Sequence, residues 1–372
     1  MAETALATAS ERQVWETSFV QEYIRSTRFQ AYMTNSAVNS GGIILTKFQK
    51  EEEAFRTINI PFIARLQALG VTGAQVLDGM EEELVNYNMP ITVDWRRNAV
   101  RIPKSTSFRT EVDLWNAGKT GLNAWVSEKL RDDIIRGLFA TISDTAGTTV
   151  SWDLATAANK NTFTAANKDR MLFGNLNSQY NATFATAIAN VVAGQIVTTG
   201  NISKMKRLAK SASPHIRPFR VDDGSGREYY VCFHGARTFR DLGLDNNMVT
   251  ANQSSRAREA MGIDKNPLFQ DGDLLYQGVI HREVPEIDDY ASANGYTALG
   301  GGGADIRPVF LCGAGAVGVA WGQMPTPRTD LLKDYQFRPG VAIEELLGVK
   351  KINFNGVQNG VVTGFFASTG DA

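Results

Sequence analysis

The chain has 372 residues, of which 43% are hydrophobic and 21% charged, a globular composition rather than a disordered or membrane one. Thirty-eight Lys and Arg stand against 39 Asp and Glu, a net charge of −1. No basic field is available to neutralise phosphates, so any contact with double-stranded DNA is expected to be weak and nonspecific.

The first residues, MAETALATASERQVW, carry acid early and lack the basic-then-apolar order of a secretory signal. The longest apolar run, Val309 to Trp321, is interrupted by glycines. It is too short for the ~20 residues a membrane helix needs, so no membrane partner is expected. Cys232 and Cys312 lie far apart and read as two buried thiols of a reducing cytoplasm.

Residues 1–49 are polar, with Trp15, Phe19, Tyr23, Ile24, Phe29 and Tyr32 spaced for only a short helix. Such an arm buries little alone and is expected to fold on a neighbouring subunit. From Arg56 to Phe62 the sequence alternates, with Ile58, Ile60 and Phe62 on one face, and Ile91, Val93 and Trp95 repeat that period. These predict two antiparallel strands, with a bulge across Arg96-Arg97-Asn98. Between them run 28 residues, Ile63 to Pro90, with Gly70, Gly73, Gly79 and the acidic run Glu81-Glu82-Glu83. A linker of that length inside a compact unit implies a task.

Leu122, Val126, Leu130, Ile134, Leu138 and Ile142 then fall four apart, and charged residues occupy the other faces. The pattern predicts a helix from about Thr110 to Ile142, roughly 50 Å long. Gly118 and Gly121 each weaken it by ~1 kcal/mol relative to Ala, which makes them places for a bend. Residues 144–182 have little periodicity and read as an irregular surface insertion. Helices near 183–198 and 202–212 follow, then a hairpin turning at Asp222–Gly226 into the strand Tyr229–Phe233. Strands at 274–284 and 307–312, a glycine-rich loop from Ser292 to Gly303, and a final strand pair at 348–366 complete an α+β chain.

No constellation points to an active site. Gly313, Gly315 and Gly318 have the spacing of a dinucleotide loop. That mechanism requires a following helix and an acidic residue about 20 positions on. Here the chain continues as a strand and is then broken by Pro325 and Pro327, so close packing is the better reading and an NAD-dependent oxidoreductase only a remote alternative. His215, His234 and His281 have no metal-ligand spacing with one another or with Cys. Neither a cofactor nor a metal is expected. What stands out is charge: Glu81, Glu82 and Glu83 on the long loop, and Arg96, Arg97, Arg101, Lys104 and Arg109 along its return strand and the foot of the helix. Within one chain such exposed pairs contribute only ~0–1 kcal/mol each. Repeated between subunits, they set register and exclude wrong partners.

Gly70-Val-Thr-Gly73, Leu77-Asp-Gly79-Met-Glu81-Glu-Glu-Leu84, Tyr87, Val93-Asp94 and Arg97-Asn-Ala-Val-Arg101 together resemble a known family. So do Gln13-Val-Trp15-Glu16, Asn266 to Pro285, Val319-Ala-Trp-Gly322 and Leu347-Gly-Val-Lys-Lys351. The resemblance is to the major capsid proteins of N-four-type short-tailed phages, which are similar in fold to the Hong Kong 97 phage capsid protein. It runs from Gln13 to Thr363, failing over 144–182 and at Lys50-Glu-Glu-Glu53.

The resemblance implies an N-terminal arm (1–49), an extended β-hairpin loop (50–104) and a peripheral domain with a long spine helix and insertion (105–182). An axial domain (183–335) and peripheral return strands with the C-terminus (336–372) would follow. It implies an icosahedral virion shell built of hexamers and pentamers, assembled in the host cytoplasm around DNA. Portal and scaffolding proteins would be partners, with room for a decoration protein. A bacterial encapsulin compartment shares the fold and is the alternative.

Overall fold

The computed structural model describes residues 29–34, 42–48, 57–63, 66, 68, 70–73, 75–84, 86–107, 114–142, 149–221, 227–250, 273–331, 333–354 and 356–370. In chain order come β1 (Ile44–Phe48), β2 (Thr57–Ile63), β3 (Asn86–Thr92), β4 (Asp94–Arg101) and the long helix α1 (Leu114–Phe139). Next are α2 (Ala157–Ala166), β5 (Met171–Phe173), α3 (Thr199–Ser211), β6 (Glu228–His234) and α4 (Ala236–Gly243). The chain continues through β7 (Asp273–Tyr276), β8 (Val279–Glu283), α5 (Glu286–Ala293), β9 (Ile306–Cys312), β10 (Val317–Asp330), β11 (Gly340–Lys351) and β12 (Val361–Ala367).

Two sheets carry the fold. The first has the order β1-β10-β11-β4, and the second β7-β8-β6-β9-β12-β5, with Arg220–Val221 added beside β6. Every residue of β9 and β12 is buried, because the second sheet is covered on both faces. Val231, Phe233, Phe310 and Phe365 face the main core, while Tyr230, Cys232, Leu311 and Phe366 face α3 through Ile202 and Met205. That split is the two-residue alternation of a strand.

The predicted apolar stripe drives α1 into the main core, with Leu122, Val126, Leu130, Ile134 and Leu138 at 0–1% exposure. Each such side chain contributes about 1.5–3 kcal/mol by leaving water. The helix stops sooner than its periodicity suggested. It ends at Phe139, and Ile142, the last residue of the stripe, lies instead in a two-residue strand paired with Thr149–Val150. Twenty-six residues span about 39 Å rather than 50 Å. The start predicted near Thr110 lies outside the described residues.

Several other expectations are corrected. The segment 144–182 is no surface insertion over its described part. Thr156 caps α2 by accepting from the Asn159 amide, Trp152 and Phe163 are 3% exposed, and β5 is a fully buried edge strand of the second sheet, paired in parallel with β12. The bulge expected at Arg96–Asn98 is absent. The break falls at Val93, and β4 then pairs without a register shift from Asp94↔Leu347 to Arg101↔Gly340. The strand expected over 274–284 is a hairpin, because Gln277 and Gly278 both have positive φ and form the tight turn. The helix expected at 183–198 covers only Phe184–Ala189.

The last two strands do not pair with each other. β11 belongs to the first sheet and β12 to the second. The glycines 313–318 carry the opposite crossing, from β9 in the second sheet to β10 in the first. A strand follows them, not a helix, so no helix N-terminus is offered to a pyrophosphate. Space explains the glycines instead: a Cβ on Gly313 would lie 2.2 Å from the Arg217 carbonyl oxygen. At the end of the N-terminal arm, Phe29 and Tyr32 pack edge-on against Phe233 of the same chain. For these two residues and for β1, which pairs in parallel with β10, the expected docking on a neighbour gives way to the chain's own core; residues 1–28 lie outside the described residues.

Candidate assembly site

The extended loop is built on a stem. β2 and β3 pair from Thr57↔Thr92 to Ile63↔Asn86. β2 matches the alternation, but its partner begins at Asn86 rather than Ile91, so the segment between the strands is 64–85 and not 63–90. Ile58, Ile60, Ile91 and Val93 bury against Ala320 and Leu346 of the first sheet. Two glycines let the stem approach so closely. A Cβ on Gly348 would stand 2.2 Å from the Thr92 carbonyl oxygen, and one on Gly318 would stand 2.8 Å from Ile91 Cδ1.

Beyond the stem the loop turns at Gly70, Gly73 and Gly79, all with positive φ. Ile63, Leu66, Val76, Leu77, Met80 and Leu84 are 55–73% exposed. Six large apolar side chains in water on one segment mark an interaction surface. The three glutamates are exposed as well, but two of them serve the loop itself. Glu81 accepts the Gly79 amide and Glu82 the Ala68 amide, each at 2.7 Å.

The basic residues divide. Arg96 points inward, where its guanidinium joins Asp133 of α1 and, at 2.5 Å, Glu345 of β11. Arg101 pairs with Asp330 at 3.5 Å. Arg97 is exposed on β4 opposite Glu344, and Lys104 is exposed at the start of the short helix Lys104–Ser107. Arg109 lies outside the described residues. Seven stem residues at ~3.3 Å each make the stem itself about 20 Å long.

Gly118 and Gly121 sit in an unbroken helix. A Cβ at Gly118 would make ordinary contact with Val100 and Ile102 at 3.6 Å, and one at Gly121 would meet nothing among the described residues.

Sequence reasoning missed Asp133 and Glu345. Glu345 was legible in principle: Val341, Ile343, Glu345 and Leu347 alternate, and all four are buried on one face. A groove of about 570 Å³ opens beside this pair, lined by Trp95, Arg136, Leu154 and Lys350 among others. Trp95 is 46% and Leu154 72% exposed.

The histidines also differ from the sequence reading. Parallel pairing of β6 with β8 sets Cys232 beside His281, and His234 Nε2 lies 2.9 Å from His281 Nδ1. Three potential ligands that lack any motif along the chain are therefore adjacent in space.

The family model for phage capsid proteins matches residues 3–365. A curated relative, the major capsid protein of Pseudomonas phage KPP25, is 25% identical over 359 residues, covering 94% of this chain and 91% of its own. Among solved structures, the capsid asymmetric unit of cyanophage Pam1 is 46% identical with a TM-score of 0.85 and 94% of each chain covered. The capsid of Ralstonia phage GP4, at 20% identity, has a TM-score of 0.69 over 93% of this chain and 92% of that one, and supports the fold alone. These phage matches do not favour the encapsulin reading. The chain belongs to the phage capsid protein family, and its function is that of a major capsid protein, a structural subunit of the virion rather than an enzyme.

Proposed function

We propose that copies of this chain associate head to tail, each extended loop lying on its neighbour's peripheral face, and that the contacts close into hexamers and pentamers of an icosahedral shell around double-stranded DNA. The observation that carries this reading is the exposed apolar edge of the loop, Val76, Leu77, Met80 and Leu84. The stem holds that edge away from the chain's own helix and sheets, so a second copy is the surface that covers it. Contacts between two different patches are heterologous, and they form rings where the rotation between copies closes.

Charge sets the register of that contact. Glu81–Glu83 is proposed to face basic groups of the neighbour drawn from Arg97, Arg101, Lys104 and Arg109. Arg96 is removed from that set because its guanidinium is committed to Asp133 and Glu345. Assembly is proposed to take place in the bacterial host cytoplasm with scaffolding and portal proteins. Contact with packaged DNA is nonspecific, in keeping with the net charge of −1.

Negative-stain electron microscopy of the recombinant chain, across a concentration and salt series, tests the reading. Wild type should give shells, capsomer rings or tubes. The triple change Val76→Ser, Leu77→Ser, Met80→Ser should leave a folded chain that forms none of them. Reversing Glu81, Glu82 and Glu83 to Lys should also block assembly, and an unchanged particle yield would remove the charge part of the proposal.

A further inference from the structure

We propose that Cys232, His234 and His281 form a binding site for a thiolate-preferring d10 cation, Zn²⁺ or Cu⁺, inside the second sheet. One ligand atom from each residue lies within 4.8 Å of the others, and all three residues are 0% exposed. Cys232 and His234 are two apart on β6, so both face the α3 side of the sheet. His281 on β8 is the Cα partner of Cys232 and shares that face.

The donor set is unusual for a core position. A Cys thiol is a common core residue, but two imidazoles are costly there unless their nitrogens are used. The pair shares one hydrogen bond, His234 Nε2 to His281 Nδ1, and His234 Nδ1 and His281 Nε2 are buried with no partner among the described residues. Whichever ring donates, the other must carry its proton on an unpaired nitrogen, so one buried donor and one buried acceptor stay unsatisfied.

A cation between the rings would replace the shared hydrogen bond: His234 Nε2 and His281 Nδ1 become ligands beside the Cys232 thiolate, each ring keeps its proton on its outer nitrogen, and the proton of the thiol leaves to solvent as the metal binds. Thiolate and imidazole donors select zinc or monovalent copper over magnesium or calcium. With Cu⁺ the thiolate makes the site neutral; Zn²⁺ leaves one positive charge. Zinc–nitrogen bonds near 2.0–2.1 Å place two nitrogens of a tetrahedral centre roughly 3.3 Å apart. From the present 2.9 Å, a small ring rotation reaches that geometry. Burial keeps both imidazoles unprotonated, the form that ligates, and raises the Cys232 thiol, so the metal itself must displace that proton.

The site would tie β6 to β8, the strands on which α4 and α5 are mounted, and so stiffen this end of the sheet. It stands independently of how copies pack.

The test is elemental analysis of untagged full-length protein, purified in reductant and washed with chelator, together with Co²⁺ added during refolding. Roughly one zinc or copper per chain is expected, with a thiolate-to-cobalt charge-transfer band in the near ultraviolet. Cys232→Ser and His281→Gln should each lower the metal content at least tenfold and abolish the band. Metal-free wild-type protein that also gives no cobalt–thiolate band would overturn the proposal. So would an unchanged metal content in both variants.

Discussion

Arg96 and Glu345 face each other across β4 and β11, with Nε 2.5 Å from Oε1, and the same guanidinium holds Asp133 of α1. Two carboxylates thus share one cation beneath the long helix, two residue pairs along β4 from its first pair, Asp94↔Leu347. Glu345 Oε2 and Arg96 Nη2 are buried without partners among the described residues. Burial pushes the Glu345 carboxyl up to about 7, outweighing the pull of Arg96. Burial also raises Asp133, against Arg96 and Arg136, with Asp132 adding to the rise.

The sign of the pH effect follows. An acid raised above its unfolded value gives stability that is complete below about 4.5 and is lost as pH rises through about 7. Thermal unfolding of wild type and Glu345→Gln should therefore differ with pH: wild type gains a few kcal/mol relative to the variant between pH 7.5 and pH 5. His234 and His281, held neutral by burial, bring an opposite slope to both proteins and cancel in the difference. Parallel curves would mean that Glu345 ionises as it does in water.

Lys351 bears the opposite sign. It is fully buried, with Nζ 3.2 Å from Gln358 Oε1 and 5.1 Å from the Phe163 ring centroid. Burial lowers its amine to about 7, against the upward pull of Cys312. Between about 7 and 10.5 the unfolded chain holds a proton that the folded chain does not, so the Lys351 contribution improves as pH rises through that window. The stability of wild type relative to Lys351→Met should climb from pH 7 to pH 9.5 in the same unfolding assay. A flat difference would show that the folded chain keeps the ammonium charged.

Strong periodicity was readable along the chain, and sparse periodicity was not. Leu122 to Leu138 announced α1, and Ile58, Ile60 and Ile91 announced the loop's stem. Met171–Phe173 could not announce β5, since three residues show no period and only the β12 partner makes them a strand. The helix end at Phe139 was hidden because Ile142 kept the four-residue spacing while leaving the helix. The acidic run was visible, but the amides that Glu81 and Glu82 accept belong to loop geometry that no spacing encodes. Cys232 and His281 are 49 positions apart, and only the parallel register of β6 and β8 joins them.

Gly348→Ala should loosen the stem from the first sheet. The added Cβ would lie 2.2 Å from the Thr92 carbonyl oxygen and 2.9 Å from Ile91 Cγ2. Backbone cannot yield as a flexible side chain does, so β3 must shift, at a cost of about 1–3 kcal/mol. Hydrogen exchange should rise at the amides of β2 and β3 while β9 and β12 stay protected. Unchanged exchange in the stem would show that the two strands separate without loss.

Gly118 and Gly121 test whether the long helix must bend. Among the described residues neither glycine is needed for space, since a Cβ at Gly118 meets Val100 and Ile102 at 3.6 Å and one at Gly121 meets nothing. Alanine at both positions should therefore raise the stability of the chain, by up to about 1 kcal/mol each. If the glycines are kept for a bend between precursor and mature shells, that added stiffness has a second effect, fewer particles or particles that fail to expand. Thermal unfolding reads the first outcome and electron microscopy of precursor and mature shells the second. A variant that is more stable and forms normal shells at both stages would remove the bend and leave the glycines without a role in assembly.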